Sequence, residues 1–237
     1  VAALQPHFPN IAGHLVSASV ISAPAAIIIA KIMEPETGEP VTAGRLVDPE
    51  VGRYPSWMEA LIAGTQDGMK LLVGIAGLLL SFLGLVALAN ALLGWGCSLL
   101  GLEGLELGGL LGYLAWPLTL AMGVPPADAL AVARLLGERA LVTEIPAYMD
   151  LAKLLAQGQF TYARSALVAS YALCGFTHVG AVAIFVGGFA SLVPERMGEL
   201  AGLGLKSLWA ATLATVMVGC VAGVFAAGGA TVLGLAP

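Results

Sequence analysis

Two side chains in this sequence combine ionisable chemistry with an apolar setting. Glu144 lies in the stretch from Pro126 to Gly158, which also carries Asp128, Arg134, Glu138, Arg139, Asp150 and Lys153. An ionised carboxylate accepts two hydrogen bonds and suits a vicinal diol. Placed at membrane depth, such a group is costly and is a functional-site hypothesis by default. The plainer alternative is an interfacial Glu144 paired with Arg139 or Lys153. His178 follows Gly175-Phe176-Thr177 in a run free of charged residues. It can donate to a hydroxyl, titrate near neutrality, or sit neutral and satisfy a carbonyl of a broken helix. Phe176 can stack on a ring or simply pack.

Other chemistries find little footing. There is no HExxH and no nucleophile set beside a base, so the chain does not read as an enzyme. Asp128, Glu144, Asp150 and His178 show no i, i+3 or i, i+4 pairing among themselves that would suit a metal, so no metal site is expected. Cys97, Cys174 and Cys220 stand alone in apolar segments and read as packing residues. No basic stripe with interleaved aromatics is present, which argues against nucleic acid as a partner.

The elements that must hold Glu144 and His178 follow from hydropathy. Of 237 residues, 59% are apolar and 11% charged, with a formal net charge of −5. Soluble domains run near 25% charged, so lipid is the natural solvent and partner. Stretches 1–30, 71–102, 107–127, 165–194 and 207–237 hold no Asp, Glu, Lys or Arg. A spanning helix takes about 20 residues. The expected organisation is a single all-α, polytopic transmembrane unit over 1–237. It has a spanning helix at 11–30, a polar connector at 31–69, a Leu-rich scaffold helix at 71–93 and an interfacial turn at 94–110. The segment 107–127, interrupted by Pro117 and Pro125-Pro126, reads as half-spanning or interfacial.

Between 126 and 158 the apolar runs are only about half a bilayer long, with a polar turn expected from Gly137 to Glu144. Two short helices meeting at a polar tip predict a re-entrant hairpin. The stretch 161–194 predicts a spanning helix broken around Gly175, His178 and Gly180, and 207–235 a last spanning helix rich in small residues. Interrupted segments of this kind point to the binding site of a transporter. His14, Ser19 and Ser22 read as helix-packing residues, with serine hydroxyls available to carbonyls freed by Pro24. Glu138 and Arg139 read as a solvated pair. The chain opens at Val1 without Met, close to an apolar run, which suggests a missing N-terminal part.

The residues Ala18-Ser19-Val20-Ile21-Ser22-Ala23-Pro24-Ala25-Ala26, then Ala30-Lys31 and Pro35-Glu36-Thr37, resemble a signature of concentrative nucleoside transporters. Gly123-Val124-Pro125, Thr143-Glu144, Ala147-Tyr148, Ala172-Leu173-Cys174-Gly175-Phe176, Gly187-Gly188 and Pro194-Glu195-Arg196 follow in the family's order. The resemblance covers nearly the whole chain and places it in the C-terminal half of that family. It implies trimeric, multi-pass transporters of the plasma or bacterial inner membrane that carry nucleosides with sodium or protons. It implies no bound cofactor, and the coupling-ion ligands would lie outside this chain. It also implies that the hairpin-tip carboxylate, here Glu144, grips ribose hydroxyls. Where the family has Asn before that carboxylate, this sequence has Thr143. Where its broken helix offers Asn and, three residues on, Ser, this sequence has His178 and Ala181; Phe176 is retained. The other readings are a non-transporting membrane scaffold or remnant, and a carrier of a different small polar solute.

Overall fold

The computed structural model describes residues 1–39, 44, 54–99, 101 and 106–226. Within them the chain forms eight α-helices and one 3-10 turn, with no strand. Three helices are long and apolar enough to cross a membrane. They are α1 (Ile11–Met33), α2 (Trp57–Leu99) and the last helix, α8 (Met197–Phe225), taken with the 3-10 turn Pro194–Arg196 that leads into it. Between α2 and α8 lie five shorter helices. These are α3 (Leu107–Ala121), α4 (Pro126–Leu141), α5 (Glu144–Ala156), α6 (Ala163–Ala172) and α7 (Val179–Leu192).

The scaffold helix α2 is longer at both ends than hydropathy indicates. It runs 43 residues, about 64 Å at 1.5 Å per residue, where 71–93 was expected. Residues 57–69, assigned to the polar connector, are its first turns. Ser56 caps the start: its Oγ accepts from the Glu59 amide at 3.1 Å, in the Ser-x-x-Glu spacing of a capping box. The remainder of the connector, 40–43 and 45–53, lies outside the described residues, as do 100 and 102–105 of the expected interfacial turn. At the other end α8 starts at Met197 rather than near 207, with Arg196 forked onto Glu199 at 2.7 and 2.8 Å. The expected reach of that helix beyond 226 falls outside the described residues.

The two hairpin arms are present as α4 and α5, but the turn between them is shorter than expected. Helix α4 runs through Gly137 to Leu141, leaving only Val142 and Thr143 between the arms. Gly137 does not break the helix; it lets α3 approach. A Cβ built there would stand 2.3 Å from the Gly112 nitrogen and 2.4 Å from the Gly108 carbonyl oxygen. Backbone therefore meets backbone where α3 lies on α4, the close approach that small residues permit in lipid. The reversal between α3 and α4 uses Gly123 at φ +77, a backbone region that side chains other than glycine's rarely enter.

The core lies where α4, α5, α6 and α8 meet, joined by Leu4, Phe8 and Ile11 from the start of the chain. Helix α6 is buried from Ser165 to its end at Ala172. Gly219 and Gly223 of α8 give it room: a Cβ at Gly219 would lie 3.2 Å from that of Ala172. Helix α1 lies along α8 and touches α6 through His14, whose Nδ1 is 2.9 Å from the Tyr171 hydroxyl. Ser17, Ser19 and Ser22 bond carbonyls of their own helix, those of Gly13, Leu15 and Ser19. The three cysteines are free and partly buried.

Candidate functional site

Two helices begin at one place. Thr143 is the extended N-cap of α5, at φ −157 and ψ 175, and Glu144 is that helix's first residue. His178 is the extended N-cap of α7, at φ −131 and ψ 158. His178 Nε2 stands 4.0 Å from Glu144 Oε2. A helix N-terminus carries roughly half a positive charge from its unpaired amides. A carboxylate at the first position of α5, facing the cap of α7, is placed where these amides favour negative charge.

The cap fixes the imidazole. His178 Nδ1 accepts from the Ala181 amide at 3.0 Å, so in the neutral ring Nε2 bears the proton. That N–H is the group turned toward Glu144. The separation is too long for a hydrogen bond between the two. Sequence reasoning offered a broken-helix carbonyl as a partner for His178; the partner is a helix-start amide instead. The spacing His-x-x-Ala, at a non-helical residue before an apolar helix, was the available signal.

Three buried polar atoms at this place have no hydrogen-bond partner among the described residues: Glu144 Oε2, Thr177 Oγ1 and Arg139 Nε. Buried polar atoms are normally paired. Arg139 and Thr177 share the wall of a cleft of about 280 Å3 with Thr212 and mainly apolar groups such as Leu118, Leu136 and Val216.

Arg139 departs from its expected place in a solvated pair with Glu138. It is only 2% exposed. Its Nη1 donates to the Ala172 carbonyl and its Nη2 to Thr215 Oγ1 at 3.2 Å. Glu138 points the other way, to a cleft it shares with Glu106, Arg134 and Asp150. Neighbouring residues on a helix diverge by about 100°, so the two cannot share one environment. Lys153 is taken by Asp150 at 2.5 Å. Neither candidate partner of Glu144 is thus in an ion pair with it.

Phe176 and Ala181 line a different cleft, of about 320 Å3, between α7 and α8. Phe176 is 65% exposed and stands at the rim, while Ala181 is buried. The break between α6 and α7, residues 173–178, is pressed against α8. A Cβ on Gly175 would come within 2.6 Å of Thr215 Cγ2. Asp128, weighed above as a metal ligand, is occupied elsewhere. It accepts from the Thr161 and Tyr162 amides at 2.9 and 3.0 Å and from Ser165 Oγ at 2.5 Å, capping α6 from another helix. Sequence reasoning did not find the roles of Arg139, Asp128, Thr177 or Thr215.

An all-helical membrane bundle, with short paired helices against an interrupted one, is the architecture of a secondary transporter. The family described as "Na+ dependent nucleoside transporter C-terminus" matches residues 14–223, and the chain belongs to it. It is 35% identical over 224 residues to mouse solute carrier family 28 member 3, covering 89% of this chain and 32% of that protein. Among solved structures, a CNTnw variant in an outward-facing state matches with a TM-score of 0.80 at 28% identity, over 90% of this chain and 50% of that one. CNTnw in an inward-facing, substrate-bound state matches at 0.68 and 30% identity, over 90% and 50% of the two chains. The chain thus spans about a third to a half of the lengths of these proteins.

Proposed function

We propose that this chain forms the sugar-binding part of a cation-coupled nucleoside symporter, with Glu144 and His178 holding the ribose. The observation that carries the reading is the gap between His178 Nε2 and Glu144 Oε2, 4.0 Å wide. A hydroxyl at the mouth of that gap donates to the carboxylate and accepts from the imidazole N–H. A second hydroxyl on the adjacent carbon completes the fork on the carboxylate. Thr143 lies at the tip beside Glu144. Phe176, exposed at the rim of the neighbouring cleft between α7 and α8, is the aromatic face this reading offers to the sugar or base. Ala181 contributes its amide to the histidine cap and offers no side-chain ligand.

In this reading α4 and α5 are a re-entrant hairpin, and α6 and α7 a spanning helix interrupted at the site. Alternating access is the movement of this unit past α2. Sodium or protons supply the driving force through ligands outside this chain. The working form is a homotrimer in the plasma or bacterial inner membrane. The likeness to the family supports nucleoside transport, and the paired helix starts around an acid and a hydrogen-bond donor fit it.

The test is uptake of labelled uridine by vesicles containing the full-length protein, with an inward sodium or proton gradient imposed in turn. The reading expects saturable uptake that one of the two gradients accelerates. Uptake indifferent to both gradients removes the symport, and no uptake of any nucleoside removes the substrate class.

A further inference from the structure

We infer that Arg139 is a positioning residue that braces the hairpin against the broken helix and so sets the gap between Glu144 and His178. It stands five residues before Glu144, in the last turn of α4. The carbonyl it holds belongs to Ala172, the last residue of α6 and six residues before His178. The brace therefore joins the two chain segments just before each leaves its helix for the site.

The chemistry suits the position. A helix end leaves its last carbonyls without partners and carries partial negative charge. Arg139 answers both, and its second arm reaches Thr215 on α8. At the other end of α4, Asp128 receives the Thr161 and Tyr162 amides, which lead into α6, and the Ser165 hydroxyl in its first turn. An acid at the start of α4 meets the positive end of α6, and a base at the finish of α4 meets its negative end. The two charges lie eleven residues apart, about 16 Å along a helix. Without Arg139 the hairpin arm stays pinned at Asp128 while its tip is free to swing from the break. Losing Arg139 therefore alters the placement of the proposed ligand. Lysine can reach the carbonyl but cannot fork onto Thr215 as well.

This inference rests on the reading of Glu144 and His178 as sugar ligands, and its test separates the two. In the full-length protein, uridine affinity and uptake KM are measured for wild type, Arg139→Gln, Arg139→Lys, Glu144→Gln and the double variant Arg139→Gln with Glu144→Gln. KM is expected to rise at least tenfold in Arg139→Gln and to recover part of the way in Arg139→Lys. The double variant should bind no more weakly than Glu144→Gln alone, because both changes act on one contact. A merely structural arginine would lower the yield or melting temperature and leave the KM of the folded molecules unchanged; that result overturns the inference. If Arg139→Gln does not fold, Arg139→Lys decides, and an unchanged KM there overturns it. If wild type binds no uridine, the site reading fails and the brace is judged by amide exchange over 173–178 in Arg139→Lys. Exchange accelerated severalfold supports the brace, and unchanged exchange overturns it.

Discussion

His178 Nε2 and Glu144 Oε2 face each other across 4.0 Å, and each belongs to the residue that opens a helix. His178 therefore does two things, capping α7 through Nδ1 and presenting Nε2–H to the site. The two can be separated by substitution. His178→Ala removes the cap, which costs about 1 kcal/mol, and removes the donor as well. The melting temperature falls and uridine affinity drops at least tenfold. His178→Asn keeps a side-chain acceptor for the Ala181 amide and a donor beyond it. Stability is retained and affinity stays within about threefold of wild type (0.7 kcal/mol). Binding titrations and melting curves on the purified variants check both.

Asp128 is 1% exposed and accepts from two backbone amides and a hydroxyl. Asp128→Ala takes the acceptor from two part-buried amides and leaves the buried Ser165 hydroxyl without it, at about 1–3 kcal/mol for a buried group left unpaired. The folded protein should be recovered poorly and melt well below wild type. Asp128→Asn, which still accepts at one oxygen, should fall between the two. Melting curves in detergent give the order.

Gly137 lies where α3 and α4 touch through their backbones. Gly137→Ala puts a methyl group 2.3 Å from the Gly112 nitrogen, and neither helix can yield locally. Overpacking of a close core contact costs about 1–3 kcal/mol; with backbone on both sides, the upper end is expected. Gly13→Ala, where nothing lies within 4 Å of the new carbon, is the control. Comparative yields and melting temperatures separate them.

Gly175 presents a milder conflict closer to the site, since its added carbon meets the Thr215 methyl at 2.6 Å. Gly175→Ala pushes the break away from α8 and disturbs Thr215, which also holds Arg139. Uridine KM should rise several-fold. Removing the obstructing methyl with Thr215→Ser, which keeps the hydroxyl, should restore much of the loss. Failure of that rescue would show that the contact is not what confines Gly175.

Much of the architecture could be read from the sequence. Charge-free runs located α1, α2 and α8, and the interrupted apolar stretches around Gly175-His178 and Thr143-Glu144 located the two breaks. Boundaries drawn from charges failed where charged residues are themselves helical. The first turns of α2 carry Glu59 and Asp67, and the Ser56–Glu59 capping box was the better guide. The polar turn expected from Gly137 onward begins later because Gly137 is helical; its use is set by Gly108 and Gly112, about 25–30 positions away in the chain. Arg139 and Asp128 were visible as charges and invisible as braces. Their partners are main-chain groups of residues 33 or more positions away, and main-chain groups have no sequence signature.

The central claim is that the Glu144 carboxylate holds the sugar, and uridine binding to purified full-length protein by calorimetry tests it most directly. Glu144→Gln keeps size and one acceptor but loses the charge and the two-oxygen fork, so affinity for uridine should fall by about 1.5–3 kcal/mol, or tenfold to more than a hundredfold. Uridine should also bind more tightly than its 2′,3′-dideoxy analogue in wild type, and the two should bind alike in the variant. Equal affinity of wild type and Glu144→Gln for uridine would contradict the account.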